Sequence, residues 1–290
     1  MTNHLALGSA QLGLPYGIAN TNGQVDFDTA SSILHFAKSK GMDTIDTAIS
    51  YGDSERCLGK VGVHDWRVIT KLPEVPNTCA DVALWVNEQV QGSLSRLKLE
   101  RLSGLLLHSP NQLLDPIGKQ LWLALQNLKR DKIVNKIGYS IYEPAQLDSL
   151  WSTFRPDLVQ APFNVLDRRL IRSGWLQRIY ESDVEIHARS ILLQGLLLMN
   201  EKNRPRKFNR WSDLWAAWAA WLQLNGLTAL QACVAFAMAE PRINRIIVGV
   251  ESLNQLEEIL TSINTNISAF PEELNINNLD LINPSRWNSL

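Results

Sequence analysis

The chain is short of cysteine, of surplus charge and of long apolar runs, and each shortage removes a class of function. Its three cysteines, Cys57, Cys79 and Cys233, are odd in number and far apart, so they form neither a disulfide framework nor a CxxC pair. They read as small, partly buried thiols of a reducing compartment. No apolar run approaches the roughly 18 residues that a bilayer span needs, and MTNHLALG at the amino end lacks the charged-then-apolar design of a secretion signal. Cytoplasmic residence without a membrane partner is the expectation. Twenty-eight Lys and Arg against 29 Asp and Glu leave a formal net charge of −1, and no extended basic run is present. That argues against a nucleic-acid partner, because phosphate contacts need clustered cations. The densest basic stretch, Arg204, Arg206, Lys207 and Arg210, reads first as a solvated loop and second as an anion-binding one.

What is present is a regular alternation. Of the 290 residues 45% are hydrophobic, ample for one large domain or two smaller ones. Short β-rich runs at 5–8, 44–46, 68–71, 102–108, 136–140, 158–161, 184–188 and 245–248 are separated by helical patterns, as in parallel strands joined by crossover helices. In the first helix Asp28 is the expected cap, Ala30, Ile33, Leu34 and Ala37 form one face, and Gly41 ends it. In the last, Ser252 caps a face of Leu253, Leu256, Ile259, Leu260 and Ile263. With no linker or composition break, residues 1–290 read as a single α/β domain, a (β/α)8 TIM barrel.

Three strings place chemistry at the ends of these runs. DTAISYG at 46–52, ITKL at 69–72 and LLLHSP at 105–110 supply Asp46, Tyr51, Lys71 and His108 at the carboxyl ends of successive strands, where such barrels build active sites. Taken singly they read as a helix cap, a solvated strand end and a turn histidine; together they read as a catalytic set. Tyrosine is a weak acid, with a reference pKa of about 10, but a neighbouring ammonium favours its anion. Lys71 is expected to lower Tyr51 in that way, Asp46 to hold Lys71 protonated, and His108 to orient a carbonyl oxygen. Gly52 allows a turn after Tyr51, and Asp53 or Ser54 starts the next helix.

With GSAQLG, DTAISYGDSE, TKL, LLLHSP, KIGYS, VQAPFN, HARS and IIVGVESLNQLEEI in register from Leu5 to about Ser262, the chain resembles the aldo/keto reductase family. The resemblance implies an NADPH-dependent carbonyl reductase with no metal. It further implies that Ser140 and Gln160 hold the nicotinamide carboxamide, that Gly8 and Ser9 flank the adjoining ribose, and that Ser190, Leu192 and Gln194 wrap the pyrophosphate. GSAQLG is neither GxGxxG nor a Walker loop, and its glycines serve a tight turn as readily as a cofactor. Departures also stand out. Ile141 replaces the usual Asn, and Arg189 replaces an aromatic that stacks on the nicotinamide, which is expected to disfavour the positively charged oxidised ring. Around the adenosine 2′-phosphate, Gly249, Val250 and Gln255, followed by Glu258, stand where the family often has Lys, Ser and Arg. Ser252, the Gly249 turn and the next helix's amino terminus still offer backbone N–H groups to a phosphate, so NADPH is favoured with NADH not excluded.

Two segments are candidates for the substrate loop, 199–225 and 270–290. Trp211, Trp215, Trp218 and Trp221 recur on one broad helix side, which packs inward unless Trp211 or Trp215 forms an aromatic substrate wall. Trp287 is placed to reach over the site, the other reading of that segment being a disordered tail. His187 points into the barrel, while His4, His35 and His64 are structural or surface residues. The reading is a reductase of an aldehyde or ketone, with a small carbonyl compound as substrate. Its rival from another class is a non-catalytic nucleotide-binding redox sensor on the same barrel, kept open by the basic loop. A lyase using Lys71 as a Schiff-base amine leaves Tyr51 and His108 unexplained.

Overall fold

In a computed structural model, which describes residues 2–267 and 269–290, eight parallel strands close into one barrel. They are β1 (Leu5–Gly8), β2 (Thr44–Asp46), β3 (Arg67–Leu72), β4 (Leu102–Leu107), β5 (Val134–Ser140), β6 (Leu158–Pro162), β7 (Glu185–Arg189) and β8 (Arg245–Gly249). Each lies within two residues of the run read from sequence. His108 falls just past β4, where its N–H donates to the Leu72 carbonyl. The intervening helices are α1 (Phe27–Ser39), α2 (Ser54–Val61), α3 (Val82–Leu97), α4 (Gly118–Arg130), α5 (Ala145–Leu150), α6 (Arg169–Arg172), α7 (Trp175–Tyr180), α8 (Ser212–Asn225), α9 (Ala229–Met238), α10 (Leu253–Ser262) and the single turn α11 (Leu279–Ile282). The closing register sets Gly8 beside both Asp46 and Gly249, and Ser140 beside Gln160. Those carboxyl ends therefore share one rim.

Asp26, not Asp28, caps α1, its carboxylate accepting from the Thr29 N–H. Asp28 lies in the first turn, where its charge suits the helix dipole. Gly41 follows the helix at φ +86°, as a left-handed exit requires. Ser252 does cap α10, whose Leu256 and Ile259 are buried, as is Ile263 just beyond it.

The apolar core has two compartments. The larger lies between strands and helices; the smaller, Ile69, Leu106 and Leu158, plugs the barrel interior. Because side chains two apart on a strand share a face, Lys71 follows Ile69 and Gln160 follows Leu158 along the same interior. Nearer the strands' amino ends the interior is polar. Glu185 accepts from His187 Nε2 at 2.8 Å, pairs with Lys136 and lies 3.6 Å from Arg67. His187 is fully buried there, as expected.

One buried acid went unread in the sequence. Glu55 on α2 accepts from the Thr70 and Ser93 hydroxyls at 2.7 Å each and pairs with Arg96 Nε at 2.8 Å. It thereby ties α2 to β3 and α3, and the contact is close: a Cβ on Gly59 would stand 2.0 Å from the Arg96 carbonyl oxygen. Glu55→Ala strands the guanidinium and two hydroxyls, and breaking such a buried pair typically costs about 3–5 kcal/mol. The expected outcome in urea denaturation is a midpoint lowered accordingly at unchanged slope; a loss below about 1 kcal/mol would deny Glu55 this structural role.

Candidate active site

A hydrogen-bonded relay crosses the rim. Lys71, wholly buried, directs Nζ to Asp46 Oδ2 at 2.7 Å, the Thr47 carbonyl at 2.9 Å and Tyr51 Oη at 3.5 Å. Asp46 Oδ1 accepts from Gln160 Nε2 at 2.7 Å, and Gln160 Oε1 accepts from Ser140 Oγ at 3.2 Å. Four strands are joined in this way, and the order of residues gives no sign of the Gln160–Asp46 link. Tyr51 is held by backbone packing: its carbonyl oxygen would be 1.9 Å from a Cβ on Gly13, and Gly52 turns at φ +53° against the Gly13 carbonyl. His108 stands edge-on to Tyr51, centroids 5.8 Å apart, with Nδ1 3.1 Å from Ser50 Oγ. Ser50 was a further residue missed, since a lone serine in a turn carries no signal.

Burial dominates the electrostatics. It pushes the Lys71 ammonium down while Asp46 opposes the fall. Burial, followed by the Asp46 carboxylate, pushes the Tyr51 phenol well above its ordinary value, with Arg189 acting the other way. This corrects the expectation that Lys71 lowers Tyr51. The ammonium's charge is already matched by Asp46, so the pair offers the phenol little net field, and desolvation prevails. Burial and then the Lys71 charge lower His108 to about 4. The imidazole is therefore neutral near pH 7.

These groups face a cavity of about 560 Å³, within the usual range for small-ligand sites. Asp46, Tyr51, His108, Ser140 and Gln160 line one end, with Lys71 directly behind. Gly8, Ser9, Arg189, Ser190, Leu192, Gln194, Gly249, Gln255 and Glu258 line the rest. Ser252 does not line it; its hydroxyl is engaged in capping α10. The Ser9 hydroxyl is engaged too, donating to the Asp46 carbonyl and accepting from Ser54.

Arg189 keeps its guanidinium 4.6 Å from the Tyr142 ring centroid and donates to the Ile141 carbonyl and Ser190 Oγ. It is the only Lys or Arg among the described lining residues. Past it, Ser190, Leu193 and Gln194 all adopt positive φ, a strained conformation for side-chain-bearing residues. There Gln194 donates to Tyr16 Oη at 3.2 Å, so a strap from the first loop meets the seventh above the cavity. Tyr16 was not foreseen.

The aromatic expectations divide. No residue of 199–225 lines the cavity, and Trp215 and Trp218 are buried with their indole N–H groups on the Phe208 and Leu197 carbonyls. Inward packing is the observed arrangement, not a substrate wall. Three cations of the basic loop are likewise engaged, with Arg206 left exposed: Arg204 covers Trp215, Lys207 donates to the Trp287 carbonyl, and Arg210 covers Trp211 and pairs with Asp280. From 270–290 it is Pro284 and Ser285 that reach the cavity. Trp287 is buried instead, donating to the Leu281 carbonyl and meeting Phe208 edge-on. Among the described residues no cluster of three His, Cys, Asp or Glu could hold a metal, and no helix is long and apolar enough to cross a membrane.

Comparison with known proteins bears on the family and the fold. The model of the aldo/keto reductase family matches residues 4–273. An uncharacterized oxidoreductase of Bacillus subtilis, YqkF, is 24% identical over 255 residues, covering 81% of this chain and 82% of its own. Among solved structures, the holo form of aldo-keto reductase AKR11C1 from Bacillus halodurans has a TM-score of 0.73 at 19% identity, over 92% of this chain and 88% of that one. The thermostable aldo-keto reductase Tm1743, in complex with the inhibitor epalrestat, has a TM-score of 0.70 at 21% identity, over 93% and 92%. At these identities the structural likeness concerns the fold.

The environment of His108 gives a pH signature. An unfolded histidine protonates near 6.5 and this one near 4, so between those values the unfolded chain binds more protons here. Its contribution to stability is full above 6.5 and is lost as the pH falls towards 4. The His108 Cε1 proton resonance is expected to titrate with a midpoint near 4; a midpoint of 6 or higher would contradict the burial argument.

Proposed function

The chain belongs to the aldo/keto reductase family, and on that premise we propose that it reduces an aldehyde or ketone to an alcohol with a nicotinamide dinucleotide, Tyr51 giving the proton. The observation that carries this reading is the convergence of the Tyr51 hydroxyl, the Lys71 ammonium 3.5 Å behind it and the edge-on, neutral His108 on one end of the cavity. The donor set suits such a cofactor. Ser140 and Gln160 present a hydroxyl and an amide at fixed depth for a carboxamide, and Arg189 is a cation with no carboxylate partner among the described residues, fit for an anionic group. When bound, the dinucleotide supplies a hydride to the carbonyl carbon.

The chain's own residues manage the oxygen. In the tautomer whose Nδ1 accepts from Ser50, the neutral His108 carries its proton on Nε2 and donates it as a hydrogen bond to the carbonyl oxygen. The raised Tyr51 phenol is protonated near pH 7, so it serves as an acid, releasing its proton as negative charge builds on that oxygen. The resulting phenolate faces Lys71, whose other contacts to Asp46 and Thr47 hold the ammonium still. The Lys71 donor that meets the phenolate is thus in place beforehand. The sensor reading loses support, because three of the four cations of the basic loop that would meet a partner, Arg204, Lys207 and Arg210, have contacts within the fold.

Tyr51→Phe keeps the ring and removes the hydroxyl. Reduction of aldehydes, followed by nicotinamide absorbance, is expected to fall by about 10²–10⁴, the range typical of lost general-acid catalysis, while dinucleotide binding followed by tryptophan fluorescence is nearly unchanged. Lys71→Met should impair turnover similarly, and the double variant should be little worse than either, since the two act as one unit. Near-normal turnover by folded Tyr51→Phe would reject the mechanism. Saturable dinucleotide binding by the parent without turnover across an aldehyde panel would favour the sensor.

A further inference from the structure

The end of the cavity opposite Tyr51 is built where β8 passes into α10, and its chemistry differs from that of the catalytic end. Glu251 and Glu258 line it, and among the described residues no Lys or Arg does. The cavity's cation, Arg189, belongs to the other end, where its charge acts on Tyr51, Lys71 and His108. Glu258 accepts only a neutral amide, from Asn254 at 2.8 Å, and burial pushes the Glu251 carboxyl up, opposed by a hydrogen bond from the Asn22 amide and by no cation.

Backbone groups compensate only in part. The Glu251 N–H donates to Gln255 Oε1 at 2.8 Å and the Gln255 N–H to Ser252 Oγ at 3.3 Å, so two donors of this turn are already satisfied by its own side chains. Beside the turn, the space over Gly249 is filled by the Gln11 amide, whose atoms would lie 2.6–2.7 Å from a Cβ there. The wall consists of carboxylates and neutral amides. A phosphate monoester carries close to two negative charges near pH 7 and would meet like charge here. A ribose diol is uncharged, and its hydroxyls donate well to a carboxylate, as acidic residues do for the ribose of NAD elsewhere.

The family resemblance assigns the adenosine of a dinucleotide to the end of strand eight, which is this part of the cavity. Resting on the function proposed above, we infer that the Glu251 and Glu258 end takes an unphosphorylated ribose and rejects a 2′-phosphate, so that NADH is the preferred dinucleotide. This reverses the expectation of NADPH. That expectation relied on Ser252 and the backbone donors of the turn; the Ser252 hydroxyl and the Glu251 and Gln255 N–H groups are engaged internally, and Glu251 joins Glu258 on the cavity wall.

The test is binding rather than turnover. The purified protein is titrated with NADH and with NADPH by tryptophan fluorescence and calorimetry at about 0.05 M salt. NADH is expected to bind at least tenfold tighter, and the gap is expected to narrow at about 0.5 M salt as the repulsion is screened. Glu251→Gln and Glu258→Gln should each strengthen NADPH binding several-fold, and Glu258→Arg should bring NADPH level with NADH or past it. NADPH binding as tightly as NADH to the parent would overturn the inference and leave the carbonyl-reductase reading standing. A preference for NADH that both salt and the glutamate substitutions leave unchanged would overturn the charge basis of the inference. Binding of neither dinucleotide would overturn the proposed function itself.

Discussion

A wholly buried ammonium has to be neutralised where it stands, and the upper barrel is organised around that requirement. Lys71 meets Asp46 at 2.7 Å, and the second carboxylate oxygen is met by Gln160 at the same distance. Removing either partner would leave a charge or a donor in a medium that solvates neither well. The requirement explains why residues from β2, β3, β5 and β6 fall into one hydrogen-bonded line. It also fixes the electrostatics at Tyr51: a compensated pair gives the phenol no strong pull towards its anion, and the hydroxyl stays a proton donor.

The layers below keep that pair dry. Ile69, Leu106 and Leu158 separate it from the polar cluster of Glu185, His187, Lys136 and Arg67 at the strands' amino ends. Small residues make room for the plug: a Cβ on Gly104 would lie 2.8 Å from Ile69 Cδ1. A barrel interior filled in layers is packed core and not a pore. In such a core desolvation is strong enough to set the direction of the Lys71, Tyr51 and His108 shifts alike.

Along its length the cavity is electrically polarised. Arg189 stands at the reactive end and Glu251 and Glu258 at the other, while Pro284 and Ser285 contribute neutral wall. Arg189 is held by a backbone carbonyl, a hydroxyl and an aromatic face, so its charge is positioned without being cancelled. The two glutamates are likewise left without cations. Charge kept unpaired in a partly enclosed space selects among ligands by repulsion as well as by attraction.

The eight strands, the α10 cap and the four residues Asp46, Tyr51, Lys71 and His108 were legible in the sequence, because apolar periodicity, capping residues and strand-end placement are local signals. Even locally the reading slipped by two residues at Asp26, where two aspartates compete to cap one helix. Contacts between distant segments left no such mark. Gln160 reaches Asp46 across 114 positions, Lys207 reaches the Trp287 carbonyl across 80, and Gln194 meets Tyr16 across 178. Whether Trp215 faces ligand or core, and whether Trp287 or Pro284 reaches the cavity, depends on how α8 and the carboxyl-terminal turns dock. The sequence by itself determined which side chains stand at the strand ends. Tertiary structure decided how far each is buried and which charges meet, and these set a pKa, because desolvation and Coulomb energy depend on distance through space and not along the chain.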